Sequence, residues 1–169
     1  MFFKKFFSPL ILLSFFLLGA CGNKTMIDET HTFDNNTWNR FKYEDFEVNV
    51  PNAEDYYRID FEVVVDSSLM RNDDIPMTVN LYSPEGERRM FYTSVVLREN
   101  GRWKGEPLPG RQKEGIRVIS RTIRPFFSFN HKGTYRLQIG QATSQYALEG
   151  VYSLRVNIEK AELDYGGMK

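Results

Sequence analysis

The stretch "YRIDFEVVVD", Tyr57 to Asp66, decides the fold class. Tyr57, Ile59, Phe61, Val63 and Val65 fall on one side of an extended chain, and Arg58, Asp60, Glu62 and Asp66 on the other. Strict alternation over this length is the mark of a strand with one face on a core. The same period recurs on both sides of it. "DFEVNV" aligns Phe46, Val48 and Val50; "PMTVNLY" aligns Met77, Val79 and Leu81; "TYRLQIG" aligns Tyr135, Leu137 and Ile139. "VYSLRVNIEK" aligns Tyr152, Leu154, Val156 and Ile158. "RRMFYTSVVLRE" is apolar on both sides and predicts a more central strand. "IRVISRTIR" is β-branched, but its inward face is ambiguous.

Turn chemistry separates these runs. Pro84 and Gly86 in "SPEG" suit a type I turn, and Asn100-Gly101 in "ENGR" signals a tight hairpin. "GEPLPGRQKEG" is a longer Pro/Gly loop, and "QATSQYALEG" is the one stretch that suits a helical turn. Strands at this spacing predict a single all-β domain over residues 37–161, an antiparallel β-sandwich of jelly-roll or immunoglobulin-like type. Residues 162–169, ending "DYGGMK", form a tail expected to fray.

The first 20 residues follow other rules. Lys4 and Lys5 precede the uncharged run "PLILLSFFLLGA", whose apolar core is roughly half the ~20 residues a membrane span requires. A positive start, a short apolar run and small residues at its end make a secretory leader, residues 1–20. The chain's one cysteine, Cys21, follows directly. Leu18-Gly19-Ala20-Cys21 resembles the bacterial lipobox. That resemblance implies cleavage between Ala20 and Cys21, diacylglycerol on the Cys21 sulfur, and an acylated amino terminus, palmitate being the expected chain. Two or three acyl chains hold a protein to a bilayer effectively for good. The polar residues 21–36 read as a lipidated tether; about a dozen extended residues reach roughly 40 Å.

With Cys21 consumed, no disulfide, cysteine-ligated metal or catalytic thiol is expected. Acidic and basic residues balance at 22 each, and losing Lys4 and Lys5 with the leader tips the mature chain slightly acidic. Nucleic acid is therefore not an expected partner. No cofactor is expected beyond the lipid on Cys21. His31 falls in the tether and His131 in a turn, neither with a partner at metal-ligand spacing. Asp73 and Asp74 lack the other ligands of a calcium loop. Trp38 reads as a plug at one end of the sandwich. Trp103, beside Arg102 and Lys104 on the Asn100-Gly101 hairpin, is the candidate contact for a partner or a glycan. Phe126, Phe127 and Phe129 beside Arg117, Arg121 and Arg124 read as a core edge with a basic stripe, or as a contact face.

In order along the chain stand "WNRF", "YYRIDFEVVVD", "VNLY" with a Pro-Gly turn, "NGRWKG", "GTYRLQIGQA" and "LEGVYSLRVNIEK", behind the lipobox. This arrangement, from about Trp38 to Lys160, resembles the gliding-motility lipoprotein H (GldH-like) family of Bacteroidetes. The segment "SSLMRNDDIPMTVN" departs from the family pattern. The resemblance implies an envelope lipoprotein without enzymatic activity, belonging with the machinery that propels surface adhesins. It implies a membrane anchor and envelope-protein partners, and transfers no functional residue except Cys21. "CGNKTMIDE" lacks an acidic cluster directly after the cysteine, which points to the periplasmic leaflet of the outer membrane. A carbohydrate-binding jelly roll is the alternative reading, since exposed aromatics on such folds stack on sugars.

Overall fold

A computed structural model describes residues 25–162. The strands are β1 (Thr25–Thr32), β2 (Thr37–Asn39), β3 (Glu44–Val50), β4 (Tyr56–Asp66), β5 (Asp74–Tyr82), β6 (Arg88–Val96) and β7 (Arg98–Glu99). They continue with β8 (Arg102–Trp103), β9 (Glu106–Pro107), β10 (Ile116–Ser128), β11 (Gly133–Gln141), β12 (Ala147–Glu149) and β13 (Val151–Lys160). A five-stranded sheet runs β1-β13-β4-β10-β9, and a four-stranded sheet runs β3-β11-β5-β6. Every pairing is antiparallel. Counting only the long strands, one sheet takes the first, eighth, third and sixth, and the other the second, seventh, fourth and fifth. That order is the jelly roll, which settles the two alternatives left by the sequence.

The inward faces meet as the alternation predicts. Phe46, Val48 and Val50 from β3 face Tyr57, Ile59, Phe61, Val63 and Val65 from β4 in one core, joined by Met77, Val79, Leu81, Leu137 and Ile139. Two runs depart from period two, and both carry bulges. On β13 the register shifts between Val151 and Ser153, so Val151 is buried and Tyr152 is not fully buried. On β10 the register shifts at Thr122/Arg124 and Arg124/Phe127, and Ile116, Ile119, Ile123 and Phe127 are buried, a spacing no simple alternation contains. Ile116 and Ile119 precede both shifts and Ile116 is buried outside the main core, while beyond Thr122 the extra residues turn the later side chains over.

Three other expectations need correction. Residues Thr25–Thr32, within the expected tether 21–36, form β1, an edge strand paired with β13 along its length. Ile27 is its one buried side chain, so its sequence carries almost no apolar signal. The described sandwich therefore includes Thr25–Thr32, ahead of residue 37. β6, expected to be central, is the edge of its sheet, with Met90 and Tyr92 exposed. "QATSQYALEG" holds bends and β12 rather than a helical turn. The leader, Ala20, Cys21 and residues 163–169 lie outside the described residues.

A meander of β7, β8 and β9 crosses from the end of β6 to the edge of β10. Gly105 makes it possible, at φ +71°, because a Cβ there would overlap the Val118 carbonyl oxygen. Its own carbonyl accepts a 3.0 Å bond from Arg117 Nη1. Gly105→Ala is expected to cost ~1–3 kcal/mol from the left-handed backbone, with the overlap adding to it. A urea melt checks the loss, and faster amide exchange at Val118 would show β9 leaving β10.

Candidate functional site

Depressions on the surface divide into those filled by the protein's own charges and those that are not. The outer face of the five-stranded sheet holds a depression of about 330 Å³ lined by Arg58, Asp60, Glu62, Ser120, Thr122 and Arg155. Arg155 donates to both Asp28 oxygens at 2.6 and 2.8 Å and lies 3.7 Å from Glu62. Ser120 donates to Glu62, and Thr122 and Arg58 to Asp60. The hydrogen bonds from Arg155 hold the Asp28 carboxyl below its ordinary range and, reciprocally, hold Arg155 more firmly charged. Donors and acceptors here satisfy one another, which makes this a self-neutralised sheet face rather than a ligand site.

Arg102, Trp103 and Lys104 do come together with Glu99 and Asn100 around a shallow depression of about 520 Å³. Asn100 (φ +51°) and Gly101 (φ +72°) form the tight hairpin expected of them. Trp103 is only half available. Its body packs against the core, and the Arg98 guanidinium lies 4.5 Å from its ring centroid. Arg98 is itself held by the Met70 carbonyl at 2.6 Å and by Asp73 at 3.4 Å. Lys104 pairs with Glu99 at 2.9 Å. Arg102 is exposed and has no side-chain partner among the described residues.

The remaining candidates are accounted for structurally. Trp38 is fully buried on the two-stranded ribbon of β2 and β12, as a plug would be. Phe127 and Phe129 belong to the core and only Phe126 is exposed, so the Phe/Arg cluster is mostly a core edge. Asp74 accepts from Ser94, and His131 lies between Glu85 and Glu87 at 3.2 and 3.6 Å. His31 is not in a tether; it joins β1 to Glu44 at the start of β3. Among the described residues no group of three or more His, Cys, Asp or Glu is placed to hold a metal ion.

The same end of the sandwich carries a feature that single-residue reading missed. The turn before β3 exposes Phe41 and Tyr43, and the turn before β12 exposes Tyr146. Phe41 and Tyr146 meet edge-to-face at 5.8 Å, and the Tyr43 ring lies over Gly140, where any Cβ would collide with it. "RFKY" (Arg40 to Tyr43), alternating basic and aromatic residues, was the local signal; its partner Tyr146 is joined to it only by the fold.

The family description "GldH lipoprotein" matches residues 25–158, from the first residue of β1 almost to the end of β13. The chain belongs to the GldH lipoprotein family. The match covers β1 as well, so in GldH terms this edge strand is part of the domain, in agreement with its pairing to β13. Membership also places the chain among envelope-associated, lipid-anchored proteins. No curated protein matches. Among solved structures, the chain is similar to a family GH115 4-O-methyl-alpha-glucuronidase with specificity for decorated arabinogalactans, at 14% identity and a TM-score of 0.41. That likeness covers 73% of this chain and 14% of the other.

Proposed function

We propose that this GldH-family chain is a non-catalytic lipoprotein that binds or scaffolds other envelope proteins in a surface-motility type of complex, anchored through acyl chains on Cys21. The observation that carries the reading is the family match over nearly the whole described domain. The position of β1 sharpens the anchor. Only residues 22–24 separate Cys21 from Thr25, a reach of at most ~14 Å when fully extended. The sandwich would therefore sit close against the bilayer, favoured here as the periplasmic leaflet of the outer membrane, instead of ranging on a 40 Å leash.

In-cell crosslinking followed by affinity purification and mass spectrometry tests this, with Cys21→Ala as the control. A fixed set of envelope proteins recovered only with Cys21 intact supports the scaffold. Recovery of the protein alone, or with polysaccharide, overturns it. Trp103→Ala removes a half-buried ring that packs on the core under Arg98; the cation–π contact alone is worth ~0.5–1 kcal/mol and the lost packing adds to it, so the melting temperature should fall while the sandwich still folds. If the hairpin is a contact, the variant loses partners at temperatures where it is still folded. An unchanged partner set assigns Trp103 to packing alone.

The exposed aromatics Phe41 and Tyr146 favour a second reading as a carbohydrate-binding jelly roll. A glycan array separates the two readings: specific sugar binding supports the second, and uniform silence removes it.

A further inference from the structure

The end of the sandwich where β3 starts and β11 finishes presents two rings that the core does not use. Phe41 is 71% exposed and Tyr146 is 69% exposed. Their turns are nonetheless tied firmly. The Arg40 N–H donates to the Tyr146 carbonyl at 2.8 Å, joining one turn to the other. The Trp38 indole N–H donates to the Lys42 carbonyl at 3.2 Å. Behind the second turn lies Gln141, a buried amide. Its Nε2 donates to the Gln145 carbonyl at 3.1 Å and, more weakly, to the Trp38 carbonyl at 3.4 Å. Its Oε1 accepts from the N–H and hydroxyl of Thr143 at 2.9 and 2.6 Å.

A buried amide is destabilising by ~1–3 kcal/mol unless its bonds are made. This one makes them to the loop that carries Tyr146 and to the ribbon that leads to Phe41. Exposed aromatics on turns whose backbone is already held before binding match the hot spots of protein interfaces. Charge adds direction. Arg40 is exposed with no side-chain partner among the described residues, and Lys42 has only a 3.9 Å approach to Glu44. Shape adds to this. The two ring planes meet at 62°, making a corner in which an apolar side chain can touch both rings at once. A corner flanked by cations suits an apolar side chain with carboxylates beside it.

Placement excludes the bilayer that holds the anchor. Thr25 pairs with Glu159 at one end of its sheet, while His31, nearer the other end of β1, contacts Glu44 beside Tyr43. The rings thus stand ~20 Å or more further along the strands from the lipid-proximal end. We infer that Arg40, Phe41, Lys42, Tyr43 and Tyr146 form the docking site for a protein segment that inserts an apolar side chain flanked by carboxylates, on the end of the domain turned away from the anchoring membrane. This rests on the scaffold reading above.

The test places photoreactive benzoylphenylalanine at Phe41, at Tyr146 or, for comparison, at Arg102, in the full lipoprotein in cells, and sequences the crosslinked peptides. The expected result is one shared adduct from positions 41 and 146, joined at an apolar residue with Asp or Glu within a few positions. Arg40→Glu, at a residue with no side-chain partner to lose among the described residues, should cut the adduct at 146 at least ~10-fold at an almost unchanged melting temperature, since opposite charges across an interface become like charges. A second copy of this chain, a polysaccharide ladder, lipid alone, or a partner segment without acidic residues overturns the site, as does indifference to the charge reversal. A protein adduct from position 102 alone overturns this site and leaves the scaffold standing. No protein adduct from any of the three overturns both.

Discussion

Replacing Trp38 with alanine is expected to lower the melting temperature by about 10–15 °C and to release the aromatic turns before the rest of the sandwich opens. Trp38 is fully buried, faces Leu148 across the β2/β12 ribbon and stacks on Phe33 with centroids 4.9 Å apart. Truncating a buried tryptophan removes both its transfer energy and its packing partners, ~3–5 kcal/mol together. For a domain of this size each kcal/mol moves the midpoint by roughly 3 °C. Trp38→Phe separates the two roles of the ring. It keeps the stack on Phe33 but leaves the Lys42 carbonyl without its donor, a loss of ~1–2 kcal/mol. Hydrogen exchange locates the damage: the amides of Arg40 and Gly150, bonded to Tyr146 and Asn36, should lose protection first. A drop of less than ~1 kcal/mol in Trp38→Ala would mean that the ribbon is not part of the cooperative core.

What the sequence discloses of this fold follows from where each strand sits. β3, β4, β5 and β11 pack one face on the core and keep their register, so their alternation reads directly. β1 is an edge strand that buries Ile27 and pairs its outward Asp28 with Arg155, so its composition is that of a tether. β6 misleads in the opposite direction. Met90 and Tyr92 give it an apolar outer face at a sheet edge, which a pattern alone cannot tell from a buried strand. Candidate contacts divide in the same way. The Trp103 hairpin is local, and Asn100-Gly101 announces it. The corner of Phe41 and Tyr146 needs two distant turns brought together by Gln141 and Trp38. The His31–Glu44 contact joins the edges of two sheets, and no spacing in the sequence encodes it.

That contact carries the second large effect, a loss of stability as pH rises past the ordinary imidazole range. His31 Nδ1 lies 2.8 Å from Glu44 Oε2 and Nε2 lies 2.9 Å from Glu29 Oε1, with the ring stacked on Phe46. The Glu44 side chain is only 9% exposed; its Oε1 has no hydrogen-bond partner, and Lys42 approaches no nearer than 3.9 Å. Burial is the largest single influence on His31 and opposes its charge. The hydrogen bonds to Glu29 and Glu44, with the charges of both, together outweigh it and raise the imidazole above its ordinary value. A raised folded value stabilises fully below the unfolded value of about 6.5, and that stability is lost as pH climbs through the folded value. Melting temperature should therefore be higher near pH 6 than above the His31 transition, and His31→Gln should flatten that fall. The same substitution at pH 6 leaves the Glu44 carboxylate buried without its charged partner, a loss of ~2–4 kcal/mol. Adding Glu44→Gln should recover much of it, because the stranded charge, rather than the missing ring, is the burden. Thermal melts of the single and double variants across pH 5.5–9 measure both effects, with the His31 ring protons followed by NMR. A His31 midpoint below the ordinary imidazole value, or an unchanged pH slope in His31→Gln, would show that Glu29 and Glu44 do not hold β1 to β3 through an imidazolium.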